Sequence, residues 1–318
     1  MNTTTIRFHQ YGAPSVLQVE QDKVAAPGAG QVLLRHEAIG VNFIDTLFRS
    51  GAFPVALPAV PGVEGVGVVE ALGPGTTGIA IGQRMAYYLA PGSYTQVRVI
   101  DAQHLIPVPD DLSAEQVAAL LTKGLTAWAG LNGFHQLQAG EIVLVQGASG
   151  GVGSLLARWA KAHGAVVIGT AGSAAKRAAL ASVIDHVLAS DAPDLASQLK
   201  QLAPQGVDVA YELVGRTTFA STLAAVRDGG TLVSIGSASG APAFDKAEVD
   251  RRQIRMVGGP MANHLQGRVA EAAAAVFDAY RRGLLGAVPI TRYALKDAAR
   301  AHEDIAERRK TGSLILIP

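Results

Sequence analysis

Between Glu141 and Lys161 the chain reads EIVLVQGASGGVGSLLARWAK, a short apolar run, a glycine-rich turn and then apolar residues at helical spacing. Ala148, Gly150 and Gly153 take the three small-residue positions of a G/A-x-G-x-x-G pattern. The first permits a tight strand-to-helix turn, the second lets backbone N–H groups approach phosphate oxygens, and the third lets the helix pack closely on its strand. With Gly151 and Val152 they make up a first helical turn whose unpaired N–H groups and partial positive charge suit a pyrophosphate. A second apolar run, Ala165 to Thr170, follows at the spacing of a βαβ unit. The pattern therefore predicts a dinucleotide site rather than a glycine turn kept for packing alone.

The second run ends Ile168-Gly169-Thr170-Ala171-Gly172-Ser173, with no acid to accept hydrogen bonds from adenosine ribose hydroxyls. Lys176 and Arg177 follow within a helical turn, and Ser173 can donate a hydrogen bond. Neutral and basic groups at this place favour a 2′-phosphate, so the expected cofactor is NADPH. The plain alternative is a solvated helix face.

Composition narrows the chemistry. At 318 residues the chain has room for two domains. Its 27 basic and 26 acidic residues give a formal charge of +1, with no basic run that would suit nucleic acid. It has no cysteine, which excludes disulfides, thiolate catalysis and cysteine-based zinc sites. The N-terminal MNTTTIRFHQYG lacks an apolar signal core, and no run reaches the roughly 18 apolar residues of a membrane span. A cytoplasmic protein without a membrane partner is the simplest expectation. The histidines are scattered without an HExxH pair, and His9, His36, His104 and His163 read as surface or packing residues. A hydride acceptor needing little Lewis-acid help, a quinone or conjugated enone, fits such a chain.

Stepping outward to the elements, residues 5–9, 31–38, 65–71, 84–88 and 94–99 read as short strands between Gly/Pro punctuation. Ser113 is placed to cap a helix running through Leu121, with Glu115 in its first turn. From Glu141 onward, strands at 141–146, 165–170, 186–188, 207–213, 231–236 and 254–257 alternate with helices, which predicts an α/β fold with a doubly wound, six-stranded parallel sheet. A helix over 266–282 and a last strand over 313–317 lead back to the front domain. The expected domains are 1–120 with 258–318, and 121–257.

Further stretches carry a resemblance: Gly12-Ala13-Pro14-Ser15-Val16-Leu17, AIGVNFIDTLFRSG (38–51), PGVEGVG (61–67), LLTKGLTAW (120–128), GASGGVG (147–153), VSIGSASG (233–240), LKDAARAHE and the terminal LILIP. Over nearly its whole length the chain resembles the zinc-independent, ζ-crystallin-like NADPH:quinone oxidoreductases of the medium-chain dehydrogenase/reductase superfamily. The resemblance implies a GroES-like β domain, a Rossmann domain and a homodimer formed through the Rossmann domains. It implies no metal, since Val63 stands where zinc-dependent relatives carry a histidine. It puts Asn42 beside the nicotinamide, Asp45 near the active-site floor, and Thr126 near the nicotinamide and its ribose. Gly150, Gly151, Val152 and Gly153 would hold the pyrophosphate, Gly172 and Lys176 the 2′-phosphate, and Gly236 with Ser237 the far side of the nicotinamide. Each side chain also has a plainer reading: Asn42 a turn former, Asp45 a helix cap, Thr126 a packed hydroxyl.

The chain departs from the bacterial pattern. Leu47 and Phe53 stand where tyrosines are expected, Ser190 where a tyrosine flanks the phosphate, and Gly259 where an arginine precedes Pro260. The substrate pocket, with Leu47 and Phe53 as its wall, should be more apolar. The expected function is hydride transfer from NADPH to a quinone, with Asn42 and Asp45 as catalytic candidates. The alternatives are an NADPH-dependent alkenal or enone reductase, a non-catalytic NADPH-binding protein of crystallin type, and a serine hydrolase. The last rests on Gly147-Ala148-Ser149-Gly150-Gly151 read as a nucleophile elbow with His264 or His302 as base.

Overall fold

The structure is a computed structural model that describes residues 1–307 and 312–318. It divides into two compact units, Met1–Thr122 with Val288–Pro318, and Lys123–Ala287.

In the first unit β1 (Asn2–Arg7) and β2 (Gln18–Lys23) form an antiparallel pair. β3 (Gln31–Val41) leads into helix α1 (Phe43–Ser50), and β4 (Gly65–Leu72), β5 (Arg84–Tyr87), β6 (Val97–Asp101) and β7 (Leu105–Pro107) follow. Helix α2 (Ala114–Ala129) begins at a reciprocal cap: the Gln116 N–H donates to Ser113 Oγ at 3.2 Å and the Ser113 N–H to Gln116 Oε1 at 2.9 Å. This is the cap the sequence implied, although the helix runs eight residues past Leu121.

The second unit is built around β8 (Ile142–Gln146), α3 (Gly151–Ala162), β9 (Val166–Ala171), α4 (Ala174–Ala181), β10 (His186–Ala189), α5 (Leu195–Leu202), β11 (Val207–Glu212), α6 (Phe219–Ala225), β12 (Val226–Ser234), α7 (Lys246–Arg251) and β13 (Arg255–Gly258). Helices α8 (Met261–Leu265) and α9 (Val269–Arg281) complete it. The strands pair in parallel in the order β10-β9-β8-β11-β12-β13. Strand order therefore reverses between β8 and β11, the point at which open α/β sheets receive a ligand beyond the carboxyl ends of their strands. Leu144, Ile168, Ala210 and Leu232 form one buried face of this sheet against Leu199, Phe219 and Leu223.

The chain then returns to the first unit through β14 (Ile290–Ala294), α10 (Ala298–Ala306) and β15 (Ser313–Ile317). β15 pairs antiparallel with β3, and the seven-stranded sheet reads β14-β15-β3-β4-β5-β7, with β6 on β3. Residues 258–287, expected in the front domain, instead belong with the second unit. The reason is packing on the far half of α2 and the π-helical turn over Gly130–Phe134. Val276 fits against Gly124, where an added Cβ would lie 2.5 Å from it. The Arg268 guanidinium stands 4.5 Å over the Trp128 ring, and His264 stacks on Phe134 at 3.6 Å.

Two histidines are shut inside the first unit. His36 Nδ1 faces the Thr95 carbonyl at 2.7 Å and must donate to it, so Nε2 accepts from Tyr87 Oη at 2.7 Å. His302 Nε2 lies 3.0 Å from Tyr94 Oη. Burial pulls the pKa of each down to about 3, and the charge of Arg98 near His36 and of Arg49 near His302 adds to it. The unfolded chain takes up protons on both below about pH 6.5 while the folded chain does not. Stability is thus highest above that pH and is lost as pH falls toward 3, by about 1.4 kcal/mol per pH unit per histidine. Urea unfolding between about pH 7 and pH 5 should show this slope, and a His36→Asn variant, whatever its absolute stability, should show a shallower one. An unchanged slope in the variant would refute the assignment.

Candidate dinucleotide and substrate site

The turn after β8 is held from β9. The Gly147 N–H donates to Thr170 Oγ1 at 3.2 Å, the Ala148 N–H to the Thr170 carbonyl at 2.9 Å, and Thr170 Oγ1 to Gln146 Oε1 at 2.5 Å. Gly147 has φ of 72°, and the Gly150 N–H closes the turn on the Gly147 carbonyl at 2.9 Å. Gly150 is the N-cap of α3 and, having no side chain, leaves the N–H groups of Gly151, Val152 and Gly153 without a side-chain cap. A Cβ on Gly153 would lie 2.3 Å from the Gly147 carbonyl oxygen, so only glycine lets helix and turn come this close. The buried Ala148 packs beneath the turn.

Lys123, on α2 and buried, lays its side-chain carbons over the same first turn. A Cβ on Gly151 would lie 3.0 Å from its Cδ. Thr126, one turn further along α2, is also buried. The sequence had assigned Thr126 to the site and overlooked Lys123, whose only signal was its place in LLTKGLTAW.

At the end of β9, Ser173 caps α4 by accepting the Lys176 N–H at 3.3 Å, which leaves its hydroxyl proton for another acceptor. Gly172 is exposed, and Lys176 and Arg177 are half-buried. Arg177 folds back so that Nη1 donates to the Gly172 carbonyl at 3.1 Å. A Cβ on Gly172 would stand 3.6 Å from Ser190 Oγ, which puts a hydroxyl beside the turn. No carboxylate is hydrogen-bonded to Gly172, Ser173, Lys176 or Arg177 among the described residues.

The loops after β11 and β12 are bound to each other. Ser239 N–H and Oγ both donate to the Val214 carbonyl, at 2.7 and 2.9 Å, and Gly236 approaches so closely that a Cβ would lie 2.1 Å from the Leu213 carbonyl oxygen. Ser237, half-buried, lies between them and gives its carbonyl to the Gly240 N–H at 2.9 Å. Glu212, wholly buried, gathers the first loop. Its carboxylate accepts from the Val214 N–H at 2.7 Å, the Gly215 N–H at 2.8 Å, Thr218 Oγ1 at 2.9 Å and Thr222 Oγ1 at 2.6 Å. Sequence reasoning missed it because a single Glu in YELVG carries no periodic signal.

In the first unit Asn42 opens α1 with a capping box whose other member is Asp45: the Asn42 N–H donates to Asp45 Oδ2 at 2.8 Å. Asn42 Nδ2 donates to Glu64 Oε1 at 3.0 Å. Asp45 Oδ2 also accepts from Tyr94 Oη at 3.2 Å, and the residue has no exposed surface. Asp45 thus takes the plainer of its two readings, a helix cap, and also holds Tyr94. Leu47 is half-buried, the Phe53 N–H donates to its carbonyl at 3.1 Å, and Phe53, 46% exposed, meets Phe48 edge-on at 6.2 Å. The bases nominated for a hydrolase are engaged otherwise, His302 buried against Tyr94 and His264 stacked on Phe134.

The second unit therefore fits a dinucleotide by its own geometry: a cradle closed to any side chain at 153 and 236, and an uncapped helix start between them and the cations at 176 and 177. Residues 28–110 match the family described as alcohol dehydrogenase GroES-like domain, and residues 151–278 that described as zinc-binding dehydrogenase. The chain is 36% identical to a quinone oxidoreductase of Pseudomonas aeruginosa over 98% of its own length and 99% of the relative's. It is 35% identical to a 2-haloacrylate reductase of a Burkholderia species, over 98% of each. The crystal structure of Escherichia coli quinone oxidoreductase complexed with NADPH superposes with a TM-score of 0.95 at 35% identity, covering 99% of this chain and all of that one. These likenesses run the length of both units, and the chain belongs to the quinone oxidoreductase family of the medium-chain dehydrogenase/reductase superfamily.

Proposed function

We propose that the protein is an NADPH-dependent quinone reductase that works without a protein-bound metal or flavin. The observation that carries this reading is the side-chain-free first turn of α3, set at the point where the sheet order reverses. Gly150, Gly151, Val152 and Gly153 hold the pyrophosphate on backbone N–H groups. Gly172, Ser173 and Lys176 hold the 2′-phosphate, where a carboxylate would repel it. Gly236, Ser237 and Thr126 take the nicotinamide end. NADPH supplies the hydride when it is bound.

Asn42, its amide fixed from behind, holds the acceptor carbonyl, and Leu47 and Phe53 form an apolar wall without phenolic donors. Well-oriented groups can contribute roughly 7–11 kcal/mol through positioning alone. A quinone needs little more, because its carbonyl oxygens take the developing charge and the protons come from solvent. Asp45 has no exposed surface and is engaged by the Asn42 N–H and the Tyr94 hydroxyl, so no proton step is assigned to it. Val63 and the absence of cysteine leave no zinc ligand set of the family's metal-dependent branch. The resemblance also carries the expectation of a cytoplasmic homodimer.

A second reading, reduction of an activated alkene, is favoured by the likeness to a 2-haloacrylate reductase. NADPH oxidation by the purified protein, followed with 1,4-benzoquinone, 9,10-phenanthrenequinone and an apolar 2-alkenal, separates the two. We expect turnover on the quinones, faster on the larger apolar one. Turnover on the alkenal alone would reassign the protein to alkene reduction, nucleotide binding without turnover would make it a binding protein, and labelling of Ser149 by a fluorophosphonate would revive the hydrolase. Lys176→Ala should lower kcat/KM for NADPH about tenfold, the worth of one charge-assisted hydrogen bond, and leave that for NADH unchanged. Equal losses for both nucleotides would remove Lys176 from the phosphate site.

A further inference from the structure

Glu64 is almost completely buried, at 1% exposure, yet among the described residues it forms no ion pair with a lysine or arginine. Its two oxygens are used separately: Oε1 accepts from Asn42 Nδ2 at 3.0 Å and Oε2 from the Thr122 N–H at 2.8 Å. Gly40 on β3 gives way to it, since a Cβ there would lie 1.8 Å from Oε1. A carboxylate taken out of water without a cation is costly, so neutral donors must converge on it. The negative charge also helps burial raise the pKa of Tyr88 and Tyr94, which keeps those phenols protonated.

We propose that Glu64 is a positioning residue that sets which way the Asn42 carboxamide faces. A carboxylate can only accept, so it must meet the NH2 side of Asn42 and cannot tolerate the carbonyl side. The amide's donor and acceptor edges are thereby assigned before any acceptor molecule arrives. Glutamine in the same place would present one acceptor to two converging donors. If its carbonyl meets Thr122, its NH2 opposes the Asn42 NH2 and drives the amide round; if its carbonyl meets Asn42, its NH2 opposes the Thr122 N–H and the tie to α2 is lost. Both arrangements uncouple α2 from Asn42. The inference rests on the reading that Asn42 holds the reacting carbonyl.

The test is a double-mutant cycle on kcat with 9,10-phenanthrenequinone, using Asn42→Ala, Glu64→Gln and the pair, with NADPH binding followed by nicotinamide fluorescence. We expect each single variant to lose about tenfold to a hundredfold in kcat, and the pair to lose no more than Asn42→Ala alone. NADPH stoichiometry should stay unchanged in Glu64→Gln, whereas a residue serving the fold alone would lose binding sites in step with kcat. Independent, multiplying losses would overturn the positioning role while leaving Asn42 in the site. Full turnover by Asn42→Ala would overturn the reading of Asn42, and the positioning role with it. Where Glu64→Gln does not fold, Glu64→Asp carries the same cycle, because it keeps the charge but falls one methylene short of bridging both donors.

Discussion

A carboxylate buried without a cation has to be surrounded by hydrogen-bond donors, and Glu212 and Glu64 show that constraint at work. Glu212 draws two backbone N–H groups and two threonine hydroxyls of residues 214–222 around itself. Glu64 draws a side-chain amide and a helix N–H. In both cases the acid ties together groups from separate parts of the chain. Hydrogen bonds to a charged group are worth about 1.5–3 kcal/mol each, and losing one partner leaves the charge exposed to the full cost of burial. The loops are therefore fixed, not merely shaped, and fixed groups are what a positioning mechanism requires.

Glycine supplies the complementary half. Where the acids pull backbone inward, the glycines at 40, 153 and 236 remove the Cβ atoms that would block the approach, each by a gap under 2.5 Å. Side chain and missing side chain act as pairs: Glu64 with Gly40, and the Glu212-held loop with Gly236. The phosphate cradle is the extreme form, since Gly147, Gly150 and Gly153 build it from backbone alone. Recognition there depends on N–H direction and on the helix end, neither of which varies with neighbouring side chains.

This division explains what could be read in the sequence. The strands of the second unit are nearly all where their apolar runs placed them, because parallel strands covered on both faces are continuously hydrophobic. β2 and β14 were not foreseen: QVEQDK and ITRYA leave most of their residues half-buried or exposed and so lack a clean alternation. The segment 258–287 was assigned to the wrong unit because its partners, Gly124, Trp128 and Phe134, lie more than a hundred residues away. The glycine fingerprint was legible since backbone chemistry shows as missing side chains. The roles of Glu64, Glu212 and Lys123 were not, since a lone charged residue acquires meaning only from the donors or the helix end that the fold brings to it. Asp45 could be read two ways from the sequence, as part of the active-site floor or as a helix cap, and only the fold shows the cap, through the Asn42 N–H and the Tyr94 hydroxyl.

The same logic separates what this chain shares with its family from what is its own. The backbone cradle leaves no room for a side chain at Gly153, where a Cβ would lie 2.3 Å from the Gly147 carbonyl oxygen. The residues after Asn42 carry no such burden. Leu47 and Phe53 are joined by a backbone hydrogen bond, so the side chains are free to differ while the loop keeps its path. Phe53 is 46% exposed and meets Phe48 edge-on, so in the proposed reaction it offers a flat apolar face to an acceptor of matching shape. Leu47 and Phe53 carry no phenolic donor, so in the proposed reaction the acceptor's oxygen is left to Asn42, and the orientation of that one amide matters accordingly.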